Sequence, residues 1–209
     1  MIDLDLFSEK RPFLYHLTSQ LDLPLIVSSR SLLSAGILLG QTKNGLDHMR
    51  QKRSEHLLIE VQGHRVMIRD QRPLSEKALR KCLDEGLMPE DYYELLNRRV
   101  FFWPTLSRLQ RHFDRYQSEE PILLRFSTQE MLRLNANAEF SRINSGATRA
   151  NSHLGGIPPR RGRGTFSSAE QYPRAISSVA EVTFLDECTL PPEFESAYDP
   201  DGPWSIVST

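Results

Sequence analysis

Three short segments of the chain carry side chains that could do chemistry at one site. Tyr15–Thr18 holds an imidazole and a hydroxyl, Val100–Trp103 holds three aromatic rings, and Val179–Val182 holds a carboxylate. An imidazole or a hydroxyl can hydrogen-bond a ligand, aromatic rings can stack on a planar one, and a carboxylate can offset developing positive charge. Because the segments are far apart in sequence, the fold must bring them together if they act on one ligand.

Several other kinds of site are not supported by the sequence. No glycine-rich dinucleotide loop or Walker loop follows a predicted strand, which argues against a Rossmann or P-loop nucleotide site. The remaining histidines lack the spacing of a metal-binding helix, and no serine nucleophile elbow occurs. Cys82 and Cys188 have no paired spacing for zinc or for a redox couple. We therefore predict no metal site.

The composition is that of an ordinary folded domain. Hydrophobic residues make up 39% and charged residues 25% of the 209 residues, and the net charge is −1. The composition and length predict a packed core in a single domain over residues 1–209. A net charge this close to zero predicts no overall attraction of the protein to polyanions. The apolar stretches are too short to cross a bilayer, the N-terminus is not a secretory signal, and isolated cysteines suit a reducing compartment. We therefore expect a cytoplasmic protein with no membrane partner.

The predicted helices and strands alternate without an internal repeat, which indicates an α+β fold. Apolar runs bounded by polar or turn-forming residues predict strands near residues 13–18, 66–70, 100–103, 122–126 and 180–185, with a further strand within 32–38. Helical spacing of apolar residues, in some cases with Pro or Ser at the start, predicts helices over residues 22–29, 47–60, 75–86, 89–97, 106–116 and 128–134.

A long basic loop and an acidic tail complete the predicted organisation. Glycine and proline pairs leave no room for a regular element in most of residues 142–174, and a structureless loop of this length is usually functional or disordered. Its arginines are Arg142, Arg149, Arg160, Arg161, Arg163 and Arg174. They could follow the phosphate backbone of a single-stranded nucleic acid. The alternative is a solvated loop whose charge balances the acidic tail, residues 186–209.

The three segments resemble the ordered motifs of NAD-using ADP-ribosyltransferases. The similarity is to the DarT-like toxins, which ADP-ribosylate bases in single-stranded DNA. Those proteins also begin with a YHIT-like string followed by a Leu-Pro helix, here Leu23-Pro24, and close with an AE-V strand before a Pro-rich segment, here Leu190–Pro192. The chain also resembles an uncharacterised bacterial family with RDQRP, NRRVFFW and INSGATR strings, here at residues 69–73, 97–103 and 143–149.

This resemblance implies an ADP-ribosyltransferase-like fold, with a split, curved β core and flanking helices, and it implies NAD as a substrate. Glu181 would be catalytic, because cleavage of the nicotinamide–ribose bond passes through an oxocarbenium-like state that a carboxylate stabilises. His16 would act with it and would hydrogen-bond the adenosine-side ribose, with Thr18 alongside. The aromatic residues Phe101, Phe102 and Trp103 would stack on the nicotinamide and exclude water.

An arginine is expected at the NAD pyrophosphate, because its planar fork matches phosphate oxygens. The candidates are Arg69, Arg99 and Arg149, and Arg69 is preferred for its position at the end of a predicted strand.

Each of the residues assigned to the site has a plainer, structural alternative. His16 could be a structural histidine, Glu181 a solvent-facing strand residue, Val100–Trp103 only core, and Arg69 the ion-pair partner of Asp70 or Glu76.

The expected function is transfer of ADP-ribose from NAD to an acceptor. No Glu-x-Glu pattern precedes the last motif residue, which disfavours a protein arginine as acceptor and leaves a nucleic-acid base as the better candidate. The resemblance to toxins also suggests an antitoxin as a partner. The alternatives are an NAD glycohydrolase, in which water is the acceptor, and a non-catalytic binding module with the same fold.

Overall fold

Small antiparallel sheets, rather than one large sheet, organise the chain. The computed structural model describes residues 1–43, 45–148 and 158–209. Within them the fold is mixed α+β, which confirms the predicted class. The α-helices are α1 (Leu4–Lys10), α2 (Leu23–Ser29), α3 (Ala35–Gly40), α4 (Glu76–Leu79), α5 (Pro89–Asn97), α6 (Leu106–Tyr116) and α7 (Thr128–Leu134). The strands are β1 (Phe13–Thr18), β2 (Ser31–Leu33), β3 (Leu57–Val61), β4 (His64–Ile68), β5 (Arg99–Phe102), β6 (Ile122–Ser127), β7 (Ala138–Ser141), β8 (Glu181–Leu185), β9 (Glu187–Thr189), β10 (Glu193–Ala197) and β11 (Ser205–Ser208).

Two of the sheets carry the three motif segments and meet at one point. The first sheet has the strand order β1-β6-β10-β11, and the second has the order β5-β8-β7. Just beyond the end of β5, Tyr15 and Trp103 exchange two backbone hydrogen bonds, each of 2.9 Å. These bonds join the first sheet to the second, so the first motif segment lies directly beside the middle one.

The main hydrophobic core lies between these sheets and the helices that cover them. Phe102 is fully buried, and its ring meets those of Phe126 and Phe184 edge-on, with centroids 5.8 and 5.5 Å apart. Because side chains alternate along a strand, Phe102 faces this core while Phe101 faces the opposite side. Among the described residues, no helix has the length and apolar character that a membrane span requires.

The region predicted as an exposed helix over residues 47–60 is not an α-helix. It begins with a short 3-10 turn at Gly45–His48 and ends in β3. Strands β3 and β4 form a two-stranded hairpin, in which Gln62 and Gly63 both have positive φ, at 51° and 79°. Two successive residues of this kind are typical of a tight hairpin turn, which favours glycine at the second position. Strand β4 also begins and ends two residues earlier than predicted.

Two other predictions from the sequence are corrected. Only Ser31–Leu33 of the strand expected near residues 32–38 is extended, because the Ser34 side chain caps α3 immediately afterwards. The helix expected over residues 75–86 ends at Leu79, because the backbone of residues 82–84 pairs with Arg161 instead. The acidic tail, residues 186–209, contains three strands, β9, β10 and β11, and Glu195 of β10 pairs with Arg125 at 2.7 Å.

The opposite orientations of neighbouring side chains in β5 give a stability prediction. Phe102→Ala should lower the free energy of unfolding by about 3–5 kcal/mol, the usual result of removing a fully buried phenylalanine. Phe101→Ala should lower it by only about 1–2 kcal/mol, since its ring is half-buried. Urea denaturation of the two variants and the wild type measures both values. Equal losses would contradict the different orientations.

Candidate functional site

A cavity of about 260 Å³ lies between the two motif-bearing sheets, the β3–β4 hairpin and α6. It is lined by residues from all three motif segments and by the preferred arginine: His16, Thr18, Arg69, Phe101, Trp103 and Glu181. The structure therefore brings together side chains from both ends of the sequence. The backbone bridge between Tyr15 and Trp103 explains this, because it fixes the first motif segment against the second sheet.

Glu181 is the first residue of β8 and is buried, with only 2% of its surface exposed. Its Oε2 accepts hydrogen bonds from the backbone N–H and the hydroxyl of Ser145, at 3.0 and 2.7 Å. Within the described residues it forms no ion pair. Burial raises the pKa of this carboxyl to about 7, although the Ser145 hydrogen bonds and the charges of Arg108 and Arg161 oppose the rise. Glu181 therefore changes its charge near neutral pH and is not the solvent-facing residue of the plainer interpretation.

His16 is held in one tautomer by the backbone of β5. Its Nδ1 lies 2.8 Å from the carbonyl oxygen of Phe101, and a carbonyl can only accept, so Nδ1 carries the proton. Burial and, to a smaller extent, the charge of Arg69 lower the pKa of His16 to about 4, although the Phe101 hydrogen bond opposes the fall. The ring is therefore neutral at physiological pH, and its Nε2 is a hydrogen-bond acceptor for a ligand.

Thr18 lies at the end of β1 and is tied to a buried carboxylate. Its hydroxyl donates to Asp22, which also accepts the backbone N–H groups of Ser19 at 3.1 Å and Met67 at 2.7 Å. Burial raises the pKa of Asp22, and these hydrogen bonds oppose the rise. Asp22 thus ties the first motif segment to β4, and Thr18 can offer a ligand only its oxygen lone pairs. The sequence analysis did not identify Asp22.

The aromatic residues of the middle segment divide between the cavity and the core. Phe101 and Trp103 line the cavity, whereas Phe102 packs in the hydrophobic core and does not. The expectation that Phe102 contacts a ligand is therefore corrected. Trp103 stacks on His112 of α6, with ring centroids 4.4 Å apart. Burial lowers the pKa of His112 to about 3, so this ring is also neutral. The helical spacing of residues 106–116 gives no sign that His112 contacts Trp103.

Arg69 lines the cavity but is already engaged by the protein. Its Nη1 donates to Glu119 at 3.1 Å, its Nη2 donates to the Thr18 carbonyl at 3.0 Å, and its guanidinium lies over the Tyr116 ring. Its buried Nε has no hydrogen-bond partner among the described residues. Burial lowers the pKa of Arg69, and the charge of Glu119 opposes this. The carboxylate partner is thus Glu119, rather than Asp70 or Glu76.

The two other arginines expected at the pyrophosphate are placed differently. Arg99 also borders the cavity, but its guanidinium pairs with Glu139 at 2.8 Å and lies over the Phe166 ring. Arg149 lies outside the described residues, as does the middle of the basic loop.

Arg53 is a cavity residue that the sequence analysis missed. It is 8% exposed, its Nε donates to the Arg69 carbonyl at 3.1 Å, and its Nη1 donates to the Asn97 side chain at 2.7 Å. It has no carboxylate partner in the part of the chain that the structure describes. Burial lowers its pKa to about 10, although the nearby charge of Asp70 opposes the fall, so Arg53 stays charged at neutral pH. The segment around it was predicted to be an exposed helix, which gave no reason to expect a buried cation.

One cluster beside the cavity has the residue types of a metal site. The ligand atoms of His56, Asp70 and Glu119 lie within 4.8 Å of one another. Arg72 donates to Asp70 at 2.7 Å and to Glu119 at 2.9 Å, and Arg69 also donates to Glu119. These contacts use the carboxylate oxygens, so we interpret the cluster as an ion-pair network that holds Arg69 in place.

The burial of Glu181 predicts an unusual dependence of stability on pH. Because its folded-state pKa is about 7 and its ordinary value is 4.5, protonation stabilises the fold. That stabilisation is complete below about pH 4.5 and is lost as the pH rises through about 7. Glu181→Gln cannot ionise, so its melting temperature should exceed that of the wild type by an increasing margin between about pH 5 and pH 8.

Thermal melts of both proteins across this range provide the test. Glu85→Gln is the control for loss of one carboxylate, because Glu85 is exposed. A margin that stays constant or shrinks with rising pH would show that Glu181 is not buried as described.

Comparison with known proteins identifies a family but not an activity. No protein of curated function matches the chain, and no solved structure matches it. A model described as a family of unknown function, DUF7002, matches residues 12–191, which include all three motif segments. The chain therefore belongs to the DUF7002 family.

Proposed function

We propose that this protein transfers ADP-ribose from NAD to an acceptor. The observation that carries the proposal is the convergence of His16, Trp103 and Glu181 on one cavity, although they come from three separate parts of the sequence. These are the residue types, in the chain order, that the resemblance to ADP-ribosyltransferases calls for. The fold assignment has further support from two antiparallel sheets that meet at a single backbone bridge.

Glu181 has the electrostatic environment that the proposed reaction needs. The nicotinamide–ribose bond breaks with oxocarbenium character, so positive charge develops on the sugar. A carboxylate hydrogen-bonded to arginine would already be neutralised, but Glu181 accepts hydrogen bonds only from Ser145 among the described residues. In the low dielectric of the cavity, its negative charge acts strongly on a nearby cationic centre.

His16 and the aromatic wall would position the NAD molecule. The Nε2 of a neutral His16 can accept a hydrogen bond from a ribose hydroxyl, which a protonated ring could not do. Phe101 and Trp103 offer rings for the planar nicotinamide, and the His112 ring, which also lines the cavity, packs against Trp103. Such contacts would hold the glycosidic bond next to Glu181 and exclude water from it.

We propose that Arg53 and Arg69 together bind the pyrophosphate of NAD. The sequence had favoured Arg69 and did not indicate Arg53. Arg69 has one carboxylate partner already, whereas Arg53 is a buried cation that forms no ion pair with a carboxylate among the described residues. Burying an unpaired charge is costly, and a bound anion would compensate for that cost. The two side chains are linked, since Arg53 donates to the backbone carbonyl of Arg69.

A patch of arginines around Arg108, whose charge acts on Glu181, supports a nucleic-acid base as the acceptor. We define the arginine patch as Arg11, Arg108, Arg111, Arg142 and Arg174, none of which has an ion pair among the described residues. Burial lowers the pKa of Arg108, repulsion from Arg111 and Arg11 lowers it further, and Glu181 opposes this. The charges of Arg142, Arg108 and Arg174 all lower the pKa of Tyr172 against the effect of its burial. This concentration of positive charge suits a phosphate backbone that presents its base to the cavity.

The direct test uses NAD labelled in its adenylate phosphate, incubated with the protein alone, with single-stranded DNA or with single-stranded RNA. We expect nicotinamide release and label on one of the polymers. Glu181→Gln should lower the rate by about two to three powers of ten, because it removes the charge that stabilises the transition state. Glu187→Gln is the control, since Glu187 of β9 follows β8 closely in the chain but is exposed and does not line the cavity.

The other outcomes separate the alternatives. Nicotinamide release without a labelled polymer would identify a glycohydrolase. If neither nicotinamide release nor a labelled polymer is detected, the transferase proposal is contradicted and a non-catalytic binding module is favoured. Unchanged turnover in Glu181→Gln would remove Glu181 from the mechanism.

A second test concerns NAD binding by Arg53. Arg53→Ala should weaken NAD affinity by roughly tenfold to a hundredfold in calorimetry, the usual effect of losing a hydrogen bond between charged groups. Arg50→Ala is the matched control, because Arg50 is exposed and pairs with Asp91 and Glu94. Arg53→Lys keeps the charge without the fork, and melting curves check that each variant folds. Unchanged affinity in both Arg53 variants would leave Arg69 as the pyrophosphate residue.

A further inference from the structure

Ser145 contacts Glu181 from a segment that contains no helix or strand. It lies beyond β7 and is fully buried. Its backbone N–H and its hydroxyl both donate to the same oxygen, Oε2 of Glu181. Two donors on one oxygen fix the rotation of the carboxyl group, and Oε1 is left without a hydrogen bond among the described residues.

The segment around Ser145 is held by parts of the protein that do not include β8. The Tyr92 hydroxyl of α5 donates to the Ser145 carbonyl at 3.1 Å. Arg161 donates to the Ala147 carbonyl at 2.6 Å. The Thr148 hydroxyl accepts the Ser75 N–H at 2.7 Å and donates to the Ser75 carbonyl at 3.0 Å. The two donors of Ser145 are therefore fixed in place independently of the carboxylate that they bind.

We infer that Ser145 is a positioning residue for Glu181, holding its carboxylate ionised and turned so that Oε1 is available to the ligand in the cavity. This inference rests on the proposed function, in which Glu181 is catalytic. Ser145 itself does not line the cavity, so it acts through Glu181 rather than on the substrate.

The surroundings of Glu181 show why Ser145 matters for the charge. Two positive charges lower the pKa of Glu181, those of Arg108 in α6 and of Arg161 in the segment after residue 158. The charge of Glu181 in turn raises the pKa of Tyr92 in α5. None of them forms a hydrogen bond to the carboxylate in the described part of the chain, so only Ser145 does. Burial raises the pKa of Glu181, and the Ser145 hydrogen bonds are the strongest opposing effect. Without the hydroxyl, the proton would be held more tightly and less of the protein would be ionised at neutral pH.

The first measurement is independent of any activity. Carbon NMR of protein labelled at its glutamate carboxyl groups, assigned with Glu181→Gln, follows the titration of Glu181 directly. In Ser145→Ala the pKa of Glu181 should rise by about one unit or more, the effect of losing one hydrogen bond to an ionised group. Ser145→Thr keeps the hydroxyl and should restore a value close to that of the wild type. An unchanged pKa in folded Ser145→Ala overturns the inference.

The second measurement is nicotinamide release as a function of pH. In Ser145→Ala the kcat at about pH 7 should fall by about fivefold or more and recover at about pH 9, with KM for NAD little changed. A purely structural role would lower the rate at every pH and lower the melting temperature, and that result overturns the inference. If the wild type releases no nicotinamide, the proposed function fails, while the NMR titration still decides whether Ser145 controls the ionisation of Glu181.

Discussion

The pair of backbone hydrogen bonds between Tyr15 and Trp103 determines most of what the site contains. These bonds join the two principal sheets at a single point and bring the carbonyl of Phe101 to within 2.8 Å of His16. Because side chains alternate along a strand, the same register sends Phe101 into the cavity and Phe102 into the core. A shift of one residue would exchange these two rings and remove the hydrogen bond that sets the tautomer of His16. The geometry of the cavity is thus a consequence of one pairing register.

The polar groups around the cavity are not explained by folding alone. Burying a charge without an opposite charge is unfavourable, and Arg69 and Arg99 beside the cavity avoid this by pairing with a carboxylate. Arg53 and Glu181 do not, since hydrogen bonds to neutral groups are their contacts in the described part of the chain. Nearby opposite charges act on both groups, Asp70 on Arg53 and Arg108 and Arg161 on Glu181, but they form no ion pair in the described part of the chain. Buried ionisable groups with strongly shifted pKa values concentrate at functional sites, where they are available to a ligand that carries the opposite charge. In the proposed reaction, the pyrophosphate and the developing sugar cation are those ligand charges.

The helices and strands that have a clear local sequence pattern were predicted correctly. Those that depend on contacts with distant parts of the chain were not. Pro89 at the first turn of α5 and the apolar run of β6 were enough to place those elements. By contrast, β10 looked like part of an acidic tail, because its alternation becomes clear only once Phe194 is known to pack on Phe126 and Glu195 to pair with Arg125. Likewise, α4 ends early because a distant backbone segment pairs with the residues after it.

The same distinction applies to the candidate site. His16 and Glu181 were identified because they lie on predicted strands within recognisable strings. Arg53 lies in a segment whose spacing predicted an exposed helix, and Ser145 lies in the INSGATR string, which has no helix or strand periodicity. Nothing local therefore indicated that either residue is buried or which residue it contacts. Their importance comes from tertiary contacts with Asn97 and Glu181, which a single sequence does not encode in any local pattern.

Burial favours the neutral form of three ionisable groups around the cavity, but it shifts their pKa values in different directions. It favours the neutral form, so the pKa falls to about 4 for His16 and about 3 for His112, whereas it rises to about 7 for Glu181. Both imidazoles are therefore neutral throughout the physiological range, and Glu181 is the member of this set that changes charge within it. The nicotinamide ring of NAD is cationic, so a bound NAD and a proton on Glu181 would compete for the same negative charge. In the proposed mechanism, substrate binding itself would favour the ionised carboxylate that the reaction requires.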